Sequence, residues 1–280
     1  MMKQKTWPFK IGIALGGGAS LGFAHIGVLE VLEKNGIKPD FVAGTSMGSV
    51  IGGLYASGLT TERMVELLQK FDIKKLTTLN FFNLLKSGIF ITDKMADYFE
   101  NLAGIKHVQD TKIPFCCTSV DLHTGKPYNF SSGRFGTALM ASTAIPGLFK
   151  PVKYGNKLLV DGGVLNNVPF DVCKKMGADF VIGVDVLAHY PQNVSYKSTV
   201  KILMNSYGLM QASNEKYRRQ FLSQDLNYML SVPSTKDQLD WSKDAMNFAY
   251  QNGKDFALKN LNKIKRKLRE FEKQYKKSEN

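Results

Sequence analysis

Two short apolar segments, each followed by a glycine-bearing turn and a helical pattern, place the strongest constraint on how this chain folds. Residues 10–15 predict a buried strand, residues 16–18 a tight glycine turn, and residues 21–35 a helix with apolar positions at helical spacing. Residues 41–43 and 48–57 repeat this order of strand and helix around a second turn. Such units predict a parallel sheet that is covered on both faces and binds ligands at the carboxyl ends of its strands.

The remaining segments continue this alternation. Further strands are predicted at residues 113–121, 126–130, 157–160, 180–186 and 226–232, and helices at residues 198–221 and 237–275. An apolar cluster at residues 81–91 is predicted to be core or a lid. We therefore predict an α/β fold, a three-layer sandwich with a mainly parallel central sheet. Residues 1–190 form its predicted main domain, and residues 191–280 form a mostly helical, basic C-terminal extension that packs on this domain or follows it.

Ser46 lies between Gly44 and Gly48 at the second turn, with a predicted strand before it and a predicted helix after it. A sharp strand-to-helix turn requires glycines at these two positions, because larger side chains would collide where strand and helix approach. Such a turn projects the serine hydroxyl above the sheet, at the positive end of the following helix. Ser46 is therefore the candidate nucleophile. The alternative is a glycine-rich packing turn without catalytic function.

The first turn supplies the candidate oxyanion site. Gly16, Gly17 and Gly18 allow the backbone to approach a ligand closely and tolerate the positive φ that turns amides inward. A nucleotide phosphate site is the rival hypothesis. The dinucleotide fingerprint needs a third glycine, but the corresponding positions hold Leu21 or Ala19, and no Gly-Lys-Ser/Thr sequence follows. The pattern therefore favours an oxyanion loop.

Asp161 is the candidate general base, because serine at its ordinary pKa is a poor nucleophile. It follows the predicted strand at residues 157–160, at the same sheet edge as Ser46, and precedes Gly162 and Gly163. We expect this carboxylate to be ionised and only partly desolvated, since full burial would raise its pKa. An ordinary Asp-Gly-Gly turn is the alternative interpretation of this segment.

The four histidines leave one further alternative open. His25 is predicted to be a packed helix residue, and His107 and His123 are predicted loop positions, with no metal-ligand spacing among them. His189 follows a predicted strand and comes after the candidate serine and acid, which is a chain order that triad hydrolases use. A Ser-Asp-His triad therefore remains a rival to a pair without histidine.

Cysteine usage and hydropathy indicate the compartment. Cys116 and Cys117 are adjacent and a third cysteine would remain unpaired, so a disulfide framework is not expected. No stretch reaches the roughly 18 apolar residues that a bilayer span needs, and the start of the chain lacks the apolar core of a signal peptide. We expect a cytoplasmic location, with peripheral membrane contact as an option.

The net charge of +13 is concentrated near the end of the chain, where residues 254–277 hold ten Lys or Arg against three acids. One apolar stripe at helical spacing runs through this segment: Leu258, Leu261, Ile264, Leu268, Phe271 and Tyr275. The stripe favours packing on its own domain or on a partner subunit, and contact with an anionic membrane surface is the alternative. Nucleic acid is not an expected partner, because no recognition motif accompanies the charge.

Three motifs resemble those of the patatin-like phospholipase family: the run at residues 15–29, Gly-Thr-Ser-Met-Gly at residues 44–48, and Asp-Gly-Gly at residues 161–163. The similarity extends through residues 55–59, 141–149 and 177–185 and covers roughly residues 8–190. Two positions depart from the family pattern, since Leu21 stands where the family usually has Arg or Lys, and Ala19 where it usually has glycine.

The resemblance implies a serine and aspartate dyad without histidine, with Ser46 as nucleophile, Asp161 as base, and Gly17 and Gly18 in the oxyanion loop. It also implies hydrolysis of fatty acyl esters of glycerolipids, with neither metal nor cofactor. The departure at Leu21 keeps one different class open, a catalytically weak lipid-binding regulatory or membrane-adaptor protein. The lipid substrate, the acyl position and the oligomeric state are not determined by these motifs.

Overall fold

The computed structural model describes residues 7–70, 93–188 and 199–278. Within them, one mixed sheet holds the strands β1 Ile11–Leu15, β2 Phe41–Thr45, β3 Phe115–Asp121, β4 Lys126–Phe130, β5 Val152–Tyr154, β6 Lys157–Asp161, β7 Phe180–Asp185 and β8 Tyr228–Ser231. The strand order is β5-β6-β3-β2-β1-β7-β8, with β4 also paired to β3. The α/β fold with a central sheet is confirmed.

The helices are α1 Ala24–Lys34, α2 Met47–Ser57, α3 Thr61–Lys70, α4 Asp93–Ala103, α5 Phe135–Ser142, α6 Phe170–Lys175, α7 Thr199–Phe221 and α8 Lys243–Ser278. One face of β1 packs into the larger core with residues of α1, α2 and α8. The opposite face presents Ala14 to a smaller core with Ala43 and α6. Because both faces are covered, the sheet forms the middle of three layers, as predicted.

Strand direction is only partly as predicted. Among the described strands, β1 pairs in parallel with β2 and β7, β2 with β3, and β7 with β8. At the other edge, β4 and β6 run antiparallel to β3, and β5 runs antiparallel to β6. The hairpin across residues 123–125 is present. Strand β5 was not predicted, since its three residues carry too short a pattern to identify.

The predicted helices differ from the observed ones mainly at their starts. The pattern over residues 21–35 divides into a 3-10 turn at Ala19–Phe23 and helix α1. The helix predicted from residue 237 begins at Lys243 instead. Side chains of Asp237 and Asp240 accept hydrogen bonds from the amides two residues on, at 2.9 Å each, which stabilises local turns instead of a helix.

Helix α8 packs along α1. The two helices approach so closely that a Cβ at Gly27 would collide with the backbone of Tyr250, and a Cβ at Gly253 with the backbone of Ala24. Ile264 and Leu268 of the predicted apolar stripe are fully buried, and Phe271 contacts the rings of Phe9 and Phe180. Leu258 is half exposed. The stripe therefore packs on its own domain, the interpretation that the sequence favoured.

The C-terminal part of the chain also joins the sheet, because β8 pairs with β7. The predicted domain boundary near residue 190, His189 and the apolar cluster at residues 81–91 all lie outside the described residues. The division of the chain at this boundary stays a prediction. Within the described residues, no helix combines the length and apolar character that crossing a bilayer requires.

Candidate active site

Ser46 lies in the sharp turn between β2 and α2. Its φ is positive, with φ 52° and ψ −127°, a strained conformation for a residue with a side chain. A Cβ at Gly44 would lie 2.5 Å from the Cα of Ser49, and a Cβ at Gly48 would collide with the carbonyl of Leu15. Both glycines are therefore required by close backbone approach, which is the physical reason that the sequence pattern suggested.

Asp161 and Ser46 are brought together by the antiparallel strand β6. Asp161 lies at the same sheet edge as Ser46, as expected. The strand that carries it, β6, runs antiparallel to β3 and not parallel to it. Strand β6 begins beyond the carboxyl end of β3 and runs back, so that Asp161 pairs with Ser119 while Thr118 pairs with Thr45. The acid therefore reaches the level of the serine on a strand that enters from the carboxyl edge of β3.

The carboxyl group of Asp161 is buried, with 1% of the residue exposed, so the expectation of only partial desolvation was wrong. Burial raises the pKa of Asp161 to about 7, while hydrogen bonds from the Gly163 amide and the Ser46 side chain act in the opposite direction. The amide of Gly163 donates to Oδ1 at 2.7 Å. Near neutral pH the group is therefore divided between its neutral and ionised forms.

The glycine turn is held by hydrogen bonds on both sides. The amide of Gly16 donates to the carbonyl of Val184 at 2.9 Å, and the amide of Gly17 donates to the carbonyl of Asn167 at 3.3 Å. Nε2 of the buried His25 lies 2.7 Å from the carbonyl oxygen of Gly16. Burial lowers the pKa of His25 to about 4, so its ring is neutral at neutral pH and Nε2–H donates to this carbonyl.

These bonds limit which amides can bind an oxyanion. Of the three predicted glycines, Gly16 and Gly17 have amides that are already bonded to carbonyl oxygens. Throughout the described ranges, no acceptor is found for the amides of Gly18, Ala19 or Met47, the last of which is the first residue of α2. Ala19 and Met47 line the same pocket as Ser46. Two of the three free donors, Ala19 and Met47, therefore belong to residues of the pocket that holds the serine.

A cavity of about 100 Å³ opens beside Ser46 between α2, α3 and α4. Its walls are mainly apolar and include Phe23, Ile51, Leu54, Leu68, Met95, Phe99, Ile145 and Trp241. Away from Ser46 and its neighbouring amides the cavity offers few hydrogen bonds to a polar group, so its chemistry suits an aliphatic chain.

Comparison with known proteins assigns the family, since residues 13–174, more than half of the chain, match the family model described as patatin-like phospholipase. The chain belongs to the patatin-like phospholipase family. This patatin-like chain is 35% identical over 182 residues to lysophospholipase NTE1 of Meyerozyma guilliermondii, a match that covers 63% of the chain and 12% of that protein.

A second match is an uncharacterized NTE family protein of Mycobacterium tuberculosis, 34% identical over 177 residues, with 63% of the patatin-like chain and 49% of that protein covered. The chain thus spans less than half the length of both relatives. The crystal structure of VipD from Legionella pneumophila has a TM-score of 0.57 at 14% identity, over 91% of this chain and 67% of VipD. The fold is therefore shared with VipD.

The other candidate residues of the patatin-like chain lie away from the serine. His107 and His123 are exposed, and His123 contacts the carbonyl of Asn156 through Nδ1 at 3.0 Å. Leu21, the departure from the family pattern, is 3% exposed and lines a small space with Val186 and Val232, whose lining also includes Ser234 and Asn252. A basic residue at this position would be buried beside a mostly apolar lining that contains no acid.

Several supporting residues of the patatin-like site were not identified from the sequence. The hydroxyl oxygen of Ser142 accepts a hydrogen bond from the Ser46 amide at 3.0 Å, and the Thr45 hydroxyl donates to the carbonyl of Asn166 at 2.8 Å. Nε2 of Gln211 donates to Oδ1 of Asn167 at 3.2 Å. The conspicuous Ala-Ser-Thr run at residues 141–143 was the one feature that pointed to this set.

Proposed function

We propose that this chain is a serine acyl hydrolase that cleaves fatty acyl esters of phospholipids, lysophospholipids or related lipids. Ser46 is the nucleophile and Asp161 the general base. The observation that carries the proposal is the placement of the Ser46 side chain against the buried carboxyl group of Asp161, whose pKa it lowers, at the opening of an apolar cavity. A nucleophile, a base and an acyl-binding wall are the three parts that an ester hydrolase requires.

In the first half of the proposed reaction, Asp161 takes the hydroxyl proton of Ser46 as the oxygen attacks the ester carbonyl carbon. The negative charge that develops on the carbonyl oxygen is stabilised by the free amides of Gly18, Ala19 and Met47, with the α2 dipole behind them. The Asp161 carboxyl then gives its proton to the leaving alcohol or lysolipid oxygen. The acyl group remains on Ser46.

In the second half, the ionised Asp161 removes a proton from a water molecule, which attacks the acyl-serine carbonyl. The same amides stabilise the second oxyanion, and the proton returns to Ser46 as the fatty acid leaves. The raised pKa of Asp161 suits both directions of transfer, because a base with a pKa near the working pH accepts and releases protons readily.

The substrate class rests on the cavity and on the family. An acyl chain in the cavity beside Ser46 would contact the side chains of Leu54, Leu68 and Phe99. This contact removes apolar surface of both the chain and these side chains from water, which favours binding. Family membership and a relative named as a lysophospholipase support a lipid ester. A protein that binds lipid without hydrolysing it would not require a carboxyl group such as that of Asp161 beside the serine hydroxyl.

The test compares wild type with Ser46→Ala, Asp161→Asn and His189→Ala on a short-chain nitrophenyl ester and on a lysophospholipid. Ser57→Ala is the matched control, because its hydroxyl lies on the same helix and donates to the carbonyl of Leu54 at 2.7 Å. We expect loss of about 10³-fold or more for the Ser46 and Asp161 variants, and near wild-type rates for the other two. Circular dichroism checks folding.

Two outcomes would replace this proposal. Loss of activity in His189→Ala, at the level of Ser46→Ala, would assign a triad esterase. Absence of Ser46-dependent turnover on both esters, with lipid binding retained, would favour the membrane-adaptor hypothesis.

A further inference from the structure

Helix α7 presents its polar residues to the protein and apolar residues to the outside, the reverse of an ordinary surface helix. Gln211 and Glu215 are almost completely buried, at 5% and 2% exposure. The exposed side carries six large apolar residues, here named the α7 stripe: Ile202, Leu203, Leu209, Met210, Tyr217 and Phe221. Such an arrangement leaves the helix with an apolar face that nothing in the described part of the chain covers.

The α7 stripe runs the length of the helix, with the exposed polar residues Ser206, Ser213, Lys216 and Gln220 between its members. Its members recur near multiples of one helical turn, so they lie on one side from residue 202 to residue 221. Exposure reaches 63% at Met210 and 76% at Phe221, high values for side chains of this size. A row of large exposed apolar side chains of this kind marks a surface that meets a partner or a membrane.

Charge distinguishes between these occupants. Lys216 is the charged residue among the exposed residues of α7, and its charge is positive. The whole chain carries a net charge of +13. An anionic lipid surface complements both features, since apolar side chains enter the acyl region while cations meet the head groups. A second copy of this chain would instead bring like charges together.

The inner side of α7 contacts the candidate catalytic turn. Asn214 Nδ2 donates to the carbonyl of Leu165 at 3.0 Å, and a Cβ at Gly163 would collide with Nε2 of Gln211. The buried carboxylate of Glu215 accepts a hydrogen bond from the amide of Val168 at 3.3 Å. The helix is therefore held against the loop that follows Asp161.

The N-terminal half of α7 adjoins the cavity opening through residues 237–241. Lys201 forms an ion pair with Asp237 at 3.3 Å, and Gln238 bonds the carbonyl of Met204 at 3.4 Å. The carbonyl of Gln238 accepts the Ser20 hydroxyl at 2.9 Å, beside the glycine turn, and Trp241 lines the cavity itself. A series of contacts thus joins the N-terminal half of α7 to the residues that line the cavity.

We propose that the α7 stripe docks this chain on an anionic lipid bilayer and so places the cavity opening at the membrane surface, where an acyl ester substrate lies. This docking deepens the proposed hydrolase function and rests on it for its purpose, but the binding itself is independent of catalysis. It assigns the membrane contact to α7 and not to the apolar stripe of α8, which is buried.

The test measures flotation of full-length Ser46→Ala protein, which leaves the lipid intact, with vesicles of phosphatidylcholine alone and of phosphatidylcholine with phosphatidylglycerol. The triple substitution Leu209→Gln, Met210→Gln and Tyr217→Gln removes the centre of the α7 stripe. We expect it to lower the partition coefficient by about tenfold or more. Lys216→Glu should weaken binding only to the vesicles with phosphatidylglycerol.

The matched control is Leu122→Gln with Leu258→Gln, two side chains that are each 50% exposed on other elements. It should bind vesicles as the parent does. Equal flotation of the triple variant and its parent would overturn the proposal. A dimer without lipid that becomes monomeric in the triple variant would assign the stripe to a second copy instead.

Failure of docking and failure of the hydrolase function are separable. With Ser46 present, the triple variant should hydrolyse a soluble short-chain ester at the wild-type rate and lose activity only on vesicle lipids. Vesicle binding without hydrolysis of any ester would reject the enzyme function alone.

Discussion

At Asp161, burial and hydrogen bonding act on the same carboxyl group in opposite directions. Burial favours the neutral acid, whereas the Gly163 amide and the Ser46 side chain favour the carboxylate, and the pKa that results is about 7. The nearby buried histidine, His25, has its pKa lowered to about 4 by burial and does not change charge near neutral pH. Burial also raises the pKa of Glu215 to about 7, but this group lies on α7 and does not contact Ser46 in the described structure, so a titration of activity near pH 7 is expected to report mainly the state of Asp161.

The first prediction concerns this titration. Only ionised Asp161 can accept the Ser46 proton, so kcat/KM on a soluble ester should rise with pH, about tenfold per unit below the pKa, and level off above about pH 8. The double substitution of two exposed histidines, His107→Gln and His123→Gln, is the control and should leave the profile unchanged. A flat profile between about pH 5 and pH 8 would contradict the role of Asp161.

Leu21 occupies a position where the family usually has a basic residue, and its surroundings explain why a leucine suits this chain. Its side chain is buried beside Val186, Val232 and Ala249. Leu21→Arg should therefore lower the free energy of unfolding by about 3 kcal/mol, because a charge would be buried without a partner. The control Leu21→Met conserves volume and should cost less than about 1.5 kcal/mol. Urea unfolding measures both, and equal stability of the two variants would show that the position is not apolar.

On the scale of elements, α7 is anchored by a buried ionic network. Arg219 pairs with Asp185 at the end of β7 and with Glu215 on its own helix at 3.4 Å, while Arg218 bonds Asp171 at 2.6 Å. Burial raises the pKa of Glu215, and the two arginines oppose this effect. The network therefore joins α7 to β7 and to α6 around the loop that bonds the glycine turn.

Removal of one cation from this network should be costly. Arg219→Met leaves Asp185 and Glu215 buried without their shared partner, so we expect a loss of about 3 kcal/mol in the free energy of unfolding. The control Lys216→Met, an exposed position on the same helix, should change stability by less than about 0.5 kcal/mol. Coincident urea midpoints for the two variants would mean that the network contributes nothing.

On the scale of the whole molecule, the first and last helices of the described chain stabilise one another. Helix α1 follows the glycine turn and carries His25, and α8 packs directly on α1 through Gly27 and Gly253. The C-terminal extension is therefore coupled to the position of the oxyanion loop, although it holds none of the candidate catalytic residues.

Gly253→Ala tests this coupling. The added Cβ would collide with the carbonyl of Ala24, so α8 must move away from α1, at a cost of about 1–3 kcal/mol in unfolding free energy. Hydrolysis of a soluble ester should fall as well, because α1 positions the glycine turn. Lys259→Ala, on the exposed face of α8, is the control. Wild-type stability and activity in the glycine variant would indicate that the helices are not tightly coupled.

The sequence by itself determined the local units of this protein. The glycine turns, the elbow at Ser46 and the succession of strands and helices were predicted within a few residues, because backbone sterics and apolar periodicity act between neighbours in the chain. The resemblance to the patatin-like phospholipase family, confirmed over residues 13–174, extended this prediction to the order of the motifs.

Only the tertiary structure decided the direction of β6, the burial of Asp161 and the reversed polarity of α7. Each depends on contacts between residues far apart in the chain, such as Ser119 with Asp161 or Arg219 with Asp185. An antiparallel strand brings its last residue to the carboxyl edge of the neighbouring strand when its first residue lies beyond that edge. The apolar pattern of the sequence does not specify where a strand lies relative to its neighbour. The pKa of Asp161 and the exposed α7 stripe follow from what surrounds them, and those surroundings exist only in the folded chain.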